Sequence, residues 1–270
     1  MSDELALGHV VLVGAGNMGG AMLRRWPSDG GTRLTVIDPK PSDAIAAHMA
    51  ERGIAHARSP DGIEAADVLV VAVKPQMMGA VLPTLRPLVS DATIVVSIAA
   101  GTTIEALSDA LGTKRVVRTI PNTPAMVGAG VTGAYAPSGI DRAPVEALLS
   151  ASGAVVWVES EADIDKVTAV SGSGPAYVFH MVEALAAAGR SLGLAAGDAA
   201  TLARQTIVGA GALLAASEED AGTLRANVTS PNGTTAAALE VLMKDEALVG
   251  LMREAVSAAH ARAVELGRGS

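Results

Sequence analysis

Short β-branched runs alternate with helical stretches through the first half of the chain. Residues 9–13, 33–38, 67–73, 92–99, 115–120, 130–136 and 154–159 are such runs, bounded by Gly, Pro, Asp or Ser. Short apolar runs with little alternation read as strands buried on both faces. Helical spacing fills 19–26, 42–52 and 141–150 between them. This alternation predicts an α/β unit built on a parallel, doubly wound sheet.

From about residue 160 the pattern changes. The chain becomes rich in Ala and Leu, and the β-branched runs stop. Helices are predicted over 162–191, 197–216, 234–243 and 245–267. In the last of these Leu248, Leu251, Met252, Ala255, Val256, Ala259 and Ala263 share one face. Two domains follow: a Rossmann-type parallel-sheet domain over 1–160 and an all-helical domain over 161–270. Residues 207–216 carry no polar side chain. A helix apolar all round must be covered on several sides, which predicts an oligomer interface of at least a dimer.

The first strand runs into Gly14, Ala15, Gly16, Asn17, Met18 and Gly19, and a helix follows. A GxGxxG run with a strand before it and a helix after it is a dinucleotide-binding turn. Gly14 permits the tight turn, Gly16 lets backbone approach a pyrophosphate, and Gly19 lets helix and strand pack closely. The helix N-terminus offers free N–H groups to the phosphates. Asp38 ends the second strand, where a carboxylate accepts hydrogen bonds from an adenosine ribose 2′-OH and repels a 2′-phosphate. Taken alone, Asp38 leans toward NADH, and Arg33 and Lys40 nearby soften that preference. Segments 73–76 and 97–101 each follow a strand, where the nucleotide crevice of such sheets forms. Lys74 there either reaches a phosphate or ribose or is a solvated loop residue.

Three further segments stand out: RTIPNTP at 118–124, SGSGPAY at 171–177 and NVTSPNGTT at 227–235. The second interrupts a helical stretch. It either lets helices cross closely or exposes backbone N–H groups. The third leads into a helix and presents hydroxyls with free N–H groups, which suits a small carboxylate. Helix capping by Thr234 or Ser230 is the alternative.

In order and spacing, GAGNMG, AVKP, SIAAG, RTIPNTP, SGSGPAY and LRANVTSPNGTT resemble pyrroline-5-carboxylate reductase over the whole chain. The resemblance implies reduction of 1-pyrroline-5-carboxylate to proline with NADPH or NADH, the last step of proline biosynthesis. It also implies a Rossmann-type domain followed by a helical dimerisation domain, giving a homodimer or a decamer of dimers. On this resemblance residues 14–19 match the pyrophosphate loop, and Val73, Lys74 and Pro75 match a cofactor-contacting segment. Ala99 and Ala100 match the nicotinamide side, and Asn227 matches a cofactor contact from the helical domain. Ser230, Gly233, Thr234 and Thr235 match the substrate loop, with Thr235 as the hydrogen-bond partner of the ring nitrogen. Glu218 and Glu161 match acidic positions near the substrate.

Three positions depart from the family. Asn232 stands where it usually has Gly, and Asn tolerates left-handed backbone. Ser59 stands where the family often has an Asn near the adenosine. Asp38 stands where it often has a small neutral residue suited to NADPH, so the resemblance and the residue point to different coenzymes.

Charge narrows the remaining classes. The net charge is −8 with no basic run, which argues against nucleic acid and anionic membranes. There is no cysteine, so disulfides, thiolate catalysis and Cys-based zinc sites are excluded. The five histidines show no metal-ligand spacing. His180 is read as either a packed core residue or, less readily, a catalytic one. Lys166 is read as solvated or ion-paired, and Tyr177 as a packed ring. Residues 1–13 are not a signal peptide, and 206–217 is too short to cross a bilayer, so a cytoplasmic protein is expected. Hydride transfer to an imine needs alignment and exclusion of water more than acid–base groups, in keeping with this inventory. Rival readings are a reductase of another cyclic imine, a hydroxyacid dehydrogenase, or a nucleotide-sensing homologue without catalysis.

Overall fold

The computed structural model describes residues 6–27 and 31–268. Residues 1–5, within the stretch read as carrying no signal peptide, lie outside the described residues. Eight strands form one sheet: β1 (His9–Val13), β2 (Arg33–Ile37), β3 (Ala55–Ala57), β4 (Val68–Val71), β5 (Ile94–Ser97), β6 (Val116–Pro121), β7 (Gly130–Tyr135) and β8 (Gly153–Trp157). Their spatial order is β3-β2-β1-β4-β5-β6-β7-β8. The order reverses between β1 and β4, where Val13 pairs with Val71, and Val71 pairs in turn with Ser97. The carboxyl ends of β1, β4 and β5 therefore lie side by side at the switch point. Ligands bind at this position in open α/β sheets.

The helices of this part are α1 (Asn17–Leu23), α2 (Asp43–Glu51), α3 (Met78–Val81), α4 (Ile104–Leu111), α5 (Ala143–Ser150) and α6 (Asp163–Val167). The two-residue period of a strand divides β1 between two cores. Val10 and Leu12 join Met22, Trp26 and Leu148 on one face. Val11 and Val13 join Leu69, Leu85 and Leu107 on the other. Burying one such side chain is worth roughly 1.5–3 kcal/mol, so a sheet with both faces covered is the stable arrangement for these runs.

Several features differ from expectation. The sheet is not wholly parallel, because β7 runs antiparallel to β6. The short link between them holds one turn of 3-10 helix, Thr123–Val127, and no crossover helix. A dozen or more residues are needed to return a chain parallel, and this link is too short. Strand β3 was not anticipated, since its Ala-His-Ala carries no apolar pattern. Residues 75–88 wind as 3-10 turns around α3, with Pro75, Pro83 and Pro87 preventing a long helix.

The expected helix 162–191 is three segments. After α6 comes one wide π turn, Thr168–Gly172, and then α7 (Gly174–Ser191). Ser171 and Gly172 of SGSG thus lie in the wide turn, and Ser173 and Gly174 lead into α7. The remaining helices are α8 (Ala196–Ala216), α9 (Ala221–Asn227), α10 (Thr234–Met243) and α11 (Ala247–Arg268). Helix α9 was not foreseen; Asp220 caps it by accepting the Thr223 N–H at 2.8 Å. Asp245 and Glu246, between α10 and α11, both hold positive φ.

Packing divides the chain into two compact units. A sheet unit runs to Gly172 and takes in the chain from Ala259, and a helical unit is Ser173–Ala258. In the helical unit only Ala199 and Ala203 of α8 are buried, while Leu202, Val208, Leu213 and Leu214 are exposed. Among the described residues α8 is long and apolar enough to cross a membrane by length and composition. The uncharged stretch 206–217 understated this, because the helix begins ten residues earlier and includes Asp198 and Arg204.

Candidate active site

The glycine loop sits at the sheet's switch point. The Gly14 N–H donates to the Ile37 carbonyl at 2.9 Å, and the Ala72 N–H donates to the Val13 carbonyl at 2.8 Å. Gly14 has φ +92°, and a Cβ there would stand 2.8 Å from the Ala72 carbonyl oxygen, so only glycine fits. At Gly19 a Cβ would collide with the Gly14 carbonyl, which explains the close approach of α1 to β1. Gly16 instead faces open space, with nothing within 4 Å of a Cβ. Asn17 is exposed, Met18 is half-buried, and no side chain caps α1. Free N–H groups beside an open glycine are what a pyrophosphate requires.

Asp38 follows β2 and is committed at both carboxylate oxygens. Oδ2 accepts the Ala15 N–H at 2.8 Å, and Oδ1 accepts the Lys40 N–H at 2.8 Å. His56 on β3 holds the Asp38 carbonyl through Nε2 at 2.9 Å. Asp38 borders two cavities. One, of about 630 Å³, includes Gly16, Arg24, Lys40 and Ser42. The other, of about 600 Å³, includes Arg58, Ser59, Val73, Lys74, Met77 and Val81. Such volumes match small-molecule sites. Lys74 is exposed at the start of the 3-10 turn opened by Pro75. The Ser59 hydroxyl donates to Asp61 at 2.8 Å. Sequence reasoning missed Arg58, Met77 and Val81, which line this second cavity from the residue after β3 and from the segment that follows β4.

The third strand end carries Ala99, which is buried, and Ala100, which is exposed. Thr119 donates to the Ser97 carbonyl at 3.0 Å, and the Ile98 N–H donates to the Val71 carbonyl at 3.1 Å. Glu161 lies in this sheet unit. Its Oε1 accepts the Ile104 N–H at 2.7 Å and Arg118 Nη1 at 3.3 Å. Arg118 is 3% exposed and also donates through Nη2 to Asp165 at 2.8 Å. The carboxylate expected beside the substrate therefore has internal partners. Asn122, in RTIPNTP, is buried; it accepts the Val131 N–H at 2.9 Å and donates to the Ser171 carbonyl at 3.2 Å.

In the helical unit the loop 228–233 leads into α10. Gly233 is the N-cap residue, and no side chain caps the helix, so the capping alternative for Thr234 and Ser230 is not what forms. The Gly233 N–H donates to the Ser230 carbonyl at 3.0 Å, and a Cβ at 233 would run into the Ser230 hydroxyl. Asn232 takes φ +57°, the left-handed conformation that its side chain tolerates. Thr234 and a half-buried Thr235 open the helix. Asn227 ends α9 and donates to Glu219 at 3.0 Å, while Glu218 is exposed. Lys166 is ion-paired with Asp163 at 2.6 Å. His180 is not in a core: its side chain is 82% exposed, beside Glu183.

Comparisons with known proteins agree with this layout. A family model for pyrroline-5-carboxylate reductase dimerisation matches residues 161–266. One described as NADP oxidoreductase, coenzyme F420-dependent, matches residues 9–101. The chain is 40% identical over 264 residues to pyrroline-5-carboxylate reductase of Pseudomonas aeruginosa, covering 96% of each. It is 42% identical over 221 residues to the Synechocystis enzyme of that name, covering 78% of this chain and 80% of that one. Among solved structures, a pyrroline-5-carboxylate reductase from Coxiella burnetii superposes with a TM-score of 0.88 at 35% identity, covering 96% of this chain and 98% of that one. The Plasmodium falciparum pyrroline carboxylate reductase, solved with NADP bound, gives 0.78 at 27% identity, covering 97% and 99%.

Proposed function

The chain belongs to the pyrroline-5-carboxylate reductase family, and from that premise we propose that its two built sites divide the work of reducing 1-pyrroline-5-carboxylate to L-proline. A nicotinamide dinucleotide supplies the hydride. The residues of the sheet unit fit such a group: an open glycine at 16, free N–H groups at α1, and a cavity of about 600 Å³ at the adenosine side. Gly14, Ala15, Gly16, Asn17, Met18 and Gly19 hold its pyrophosphate. Asp38, Ser59, Val73, Lys74 and Pro75 hold its adenosine half. Ala99, Ala100 and Asn227 serve the nicotinamide half.

The observation that carries the substrate assignment is the uncapped N-terminus of α10. Its first N–H groups, with the hydroxyls of Ser230 and Thr234, bind the substrate carboxylate, and Gly233 keeps the turn tight. Thr235 donates to or accepts from the ring nitrogen, which ends protonated. An imine is basic enough to arrive as iminium, so these residues orient and exclude water, and no strong acid is required. Glu218, exposed ahead of α9, is the second acidic position that the family match places near the substrate. Glu161 acts from the sheet unit, where it holds the Ile104 N–H and Arg118.

The coenzyme is NADH in preference to NADPH, because the Asp38 carboxylate is held in place by two backbone N–H groups and repels a 2′-phosphate. The exposed apolar residues of α8 are covered by a second copy through residues 161–266, in a homodimer or a decamer of dimers. That cover, rather than lipid, accounts for the apolar length of α8, and the enzyme works in the cytoplasm.

The test is oxidation of NADH and of NADPH with 1-pyrroline-5-carboxylate, by wild type and by Thr235→Ala. Turnover by the wild type, reduced by at least about tenfold in the variant, supports the assignment. No turnover with either coenzyme overturns it. A fully active Thr235→Ala overturns the role given to Thr235.

A further inference from the structure

We infer that Glu161 and the last turns of α11 are positioning elements for the coenzyme loop at 99–103, a role that rests on the dinucleotide reading above. Neither has been counted among groups that touch coenzyme. The loop leaves β5 after Ser97 and must turn before α4. Gly101 makes the turn with φ +77°, and a Cβ there would stand 3.3 Å from the Leu266 carbonyl oxygen. The backbone of α11 thus closes one side of the loop, and Ala263 in the same turns is buried.

The other end of the loop is held at α4. A helix leaves its first N–H groups without partners inside the helix. Here Thr103 accepts the Ala106 N–H at 3.2 Å, as a local cap. The Ile104 N–H goes instead to Glu161, 57 positions away in sequence, at 2.7 Å. Glu161 is itself steadied by Arg118, whose guanidinium is buried between Glu161 and Asp165. A hydrogen bond to an ionised acceptor is roughly twice as strong as a neutral one. The backbone presented at Ala99 and Ala100 is therefore set by two contacts distant in sequence, one from Glu161 and one from the last turns of α11, and strand β5 fixes only where the loop begins.

The experiment measures NADH and NADPH binding by calorimetry, and steady-state kinetics with NADH, on the full chain, for wild type, Glu161→Ala, Glu161→Gln and Gly101→Ala. Glu161→Ala weakens NADH binding about tenfold, while the KM for 1-pyrroline-5-carboxylate at saturating NADH moves by less than about twofold. Glu161→Gln keeps an acceptor for the Ile104 N–H and returns affinity to within about threefold of wild type. Gly101→Ala meets both an unfavourable φ and the Leu266 carbonyl, and weakens NADH in the same selective way. If Glu161→Ala does not fold, the other two variants carry the test, with subunit association as the fold control.

Unchanged NADH affinity in Glu161→Ala and Gly101→Ala overturns the inference, as does an equal loss of coenzyme and substrate binding. A Gln variant no better than Ala overturns the Ile104 assignment. A wild type that binds neither coenzyme refutes the dinucleotide reading itself, and this inference with it. Normal wild-type binding with unaltered variants refutes only the positioning role.

Discussion

The Ala15 N–H donates to Asp38 Oδ2 at 2.8 Å, so the acid after β2 anchors the glycine loop that follows β1. One carboxylate thereby ties the glycine loop to the end of β2, between the two cavities it borders. Its other oxygen is taken by the Lys40 N–H. A charge fixed by two backbone donors does not rotate away from an incoming phosphate. Asp38→Asn keeps one acceptor and removes the charge. We expect kcat/KM for NADH to fall about tenfold and the NADPH-to-NADH ratio to rise by at least that factor. Initial-rate assays with both coenzymes check this; an unchanged ratio contradicts the assignment.

Gly233→Ala places a methyl group against the Ser230 hydroxyl at the mouth of α10. The turn must open and the first N–H groups must shift. Interaction of an anion with a helix N-terminus is worth up to about 2 kcal/mol in partly buried sites, so the substrate KM should rise by roughly tenfold. NADH affinity should stay as it was. Kinetics at saturating NADH separate the two.

Arg118→Met leaves Glu161 and Asp165 facing a site that held a buried guanidinium. Breaking a buried ion pair from one side costs about 3–5 kcal/mol, so urea unfolding should show a large loss. Arg33 and Glu64 pair at 2.6 Å on the surface, with both side chains more than half exposed. Arg33→Met should leave the unfolding midpoint almost unmoved, since exposed pairs contribute little. Equal effects from the two substitutions would contradict the burial argument.

Burial, and then the Arg24 and Arg52 charges, hold the His48 imidazole below its ordinary value. The unfolded chain therefore binds this proton more readily than the folded one. Stability from neutral His48 is complete above the unfolded pKa and is lost as pH falls through the folded pKa. Melting temperature should drop between roughly pH 7 and pH 5 in the wild type, and His48→Gln should flatten that part of the curve. Melting curves across this window, compared for the two proteins, are the check.

Val208 lies on α8 and is 59% exposed in the single chain. If a second copy covers α8, Val208→Glu buries a charge in the interface. Sedimentation at micromolar concentration should show a dimer or larger for wild type and a monomer for the variant. An unchanged mass would move the interface away from α8.

Much of this could be read before any coordinates. The strand at 9–13, the tight turn at Gly14 and the close packing at Gly19 lie within a few residues of one another, and local geometry dictates each. The left-handed residue at 232 was foreseen for the same reason: Asn is one of the few residues that accept it. Other parts were not legible. Ala55–Ala57 forms a strand only because β2 offers it a free edge. Thr168–Gly172 winds as a π turn, although its residues also suit a loop. Glu161 was placed near the substrate by resemblance alone, and its partners, Ile104 and Arg118, are 57 and 43 positions away, beyond the reach of any local pattern.

Period, turn chemistry and composition settle which segments are strands and which glycine must turn, because those choices depend on neighbouring residues and on φ. Tertiary structure alone decides which acceptor takes a spare N–H. Asp38 holds Ala15, Glu161 holds Ile104, and no side chain caps α10. Each outcome depends on what the folded sheet and helices bring within about 3 Å, the range over which a hydrogen bond operates.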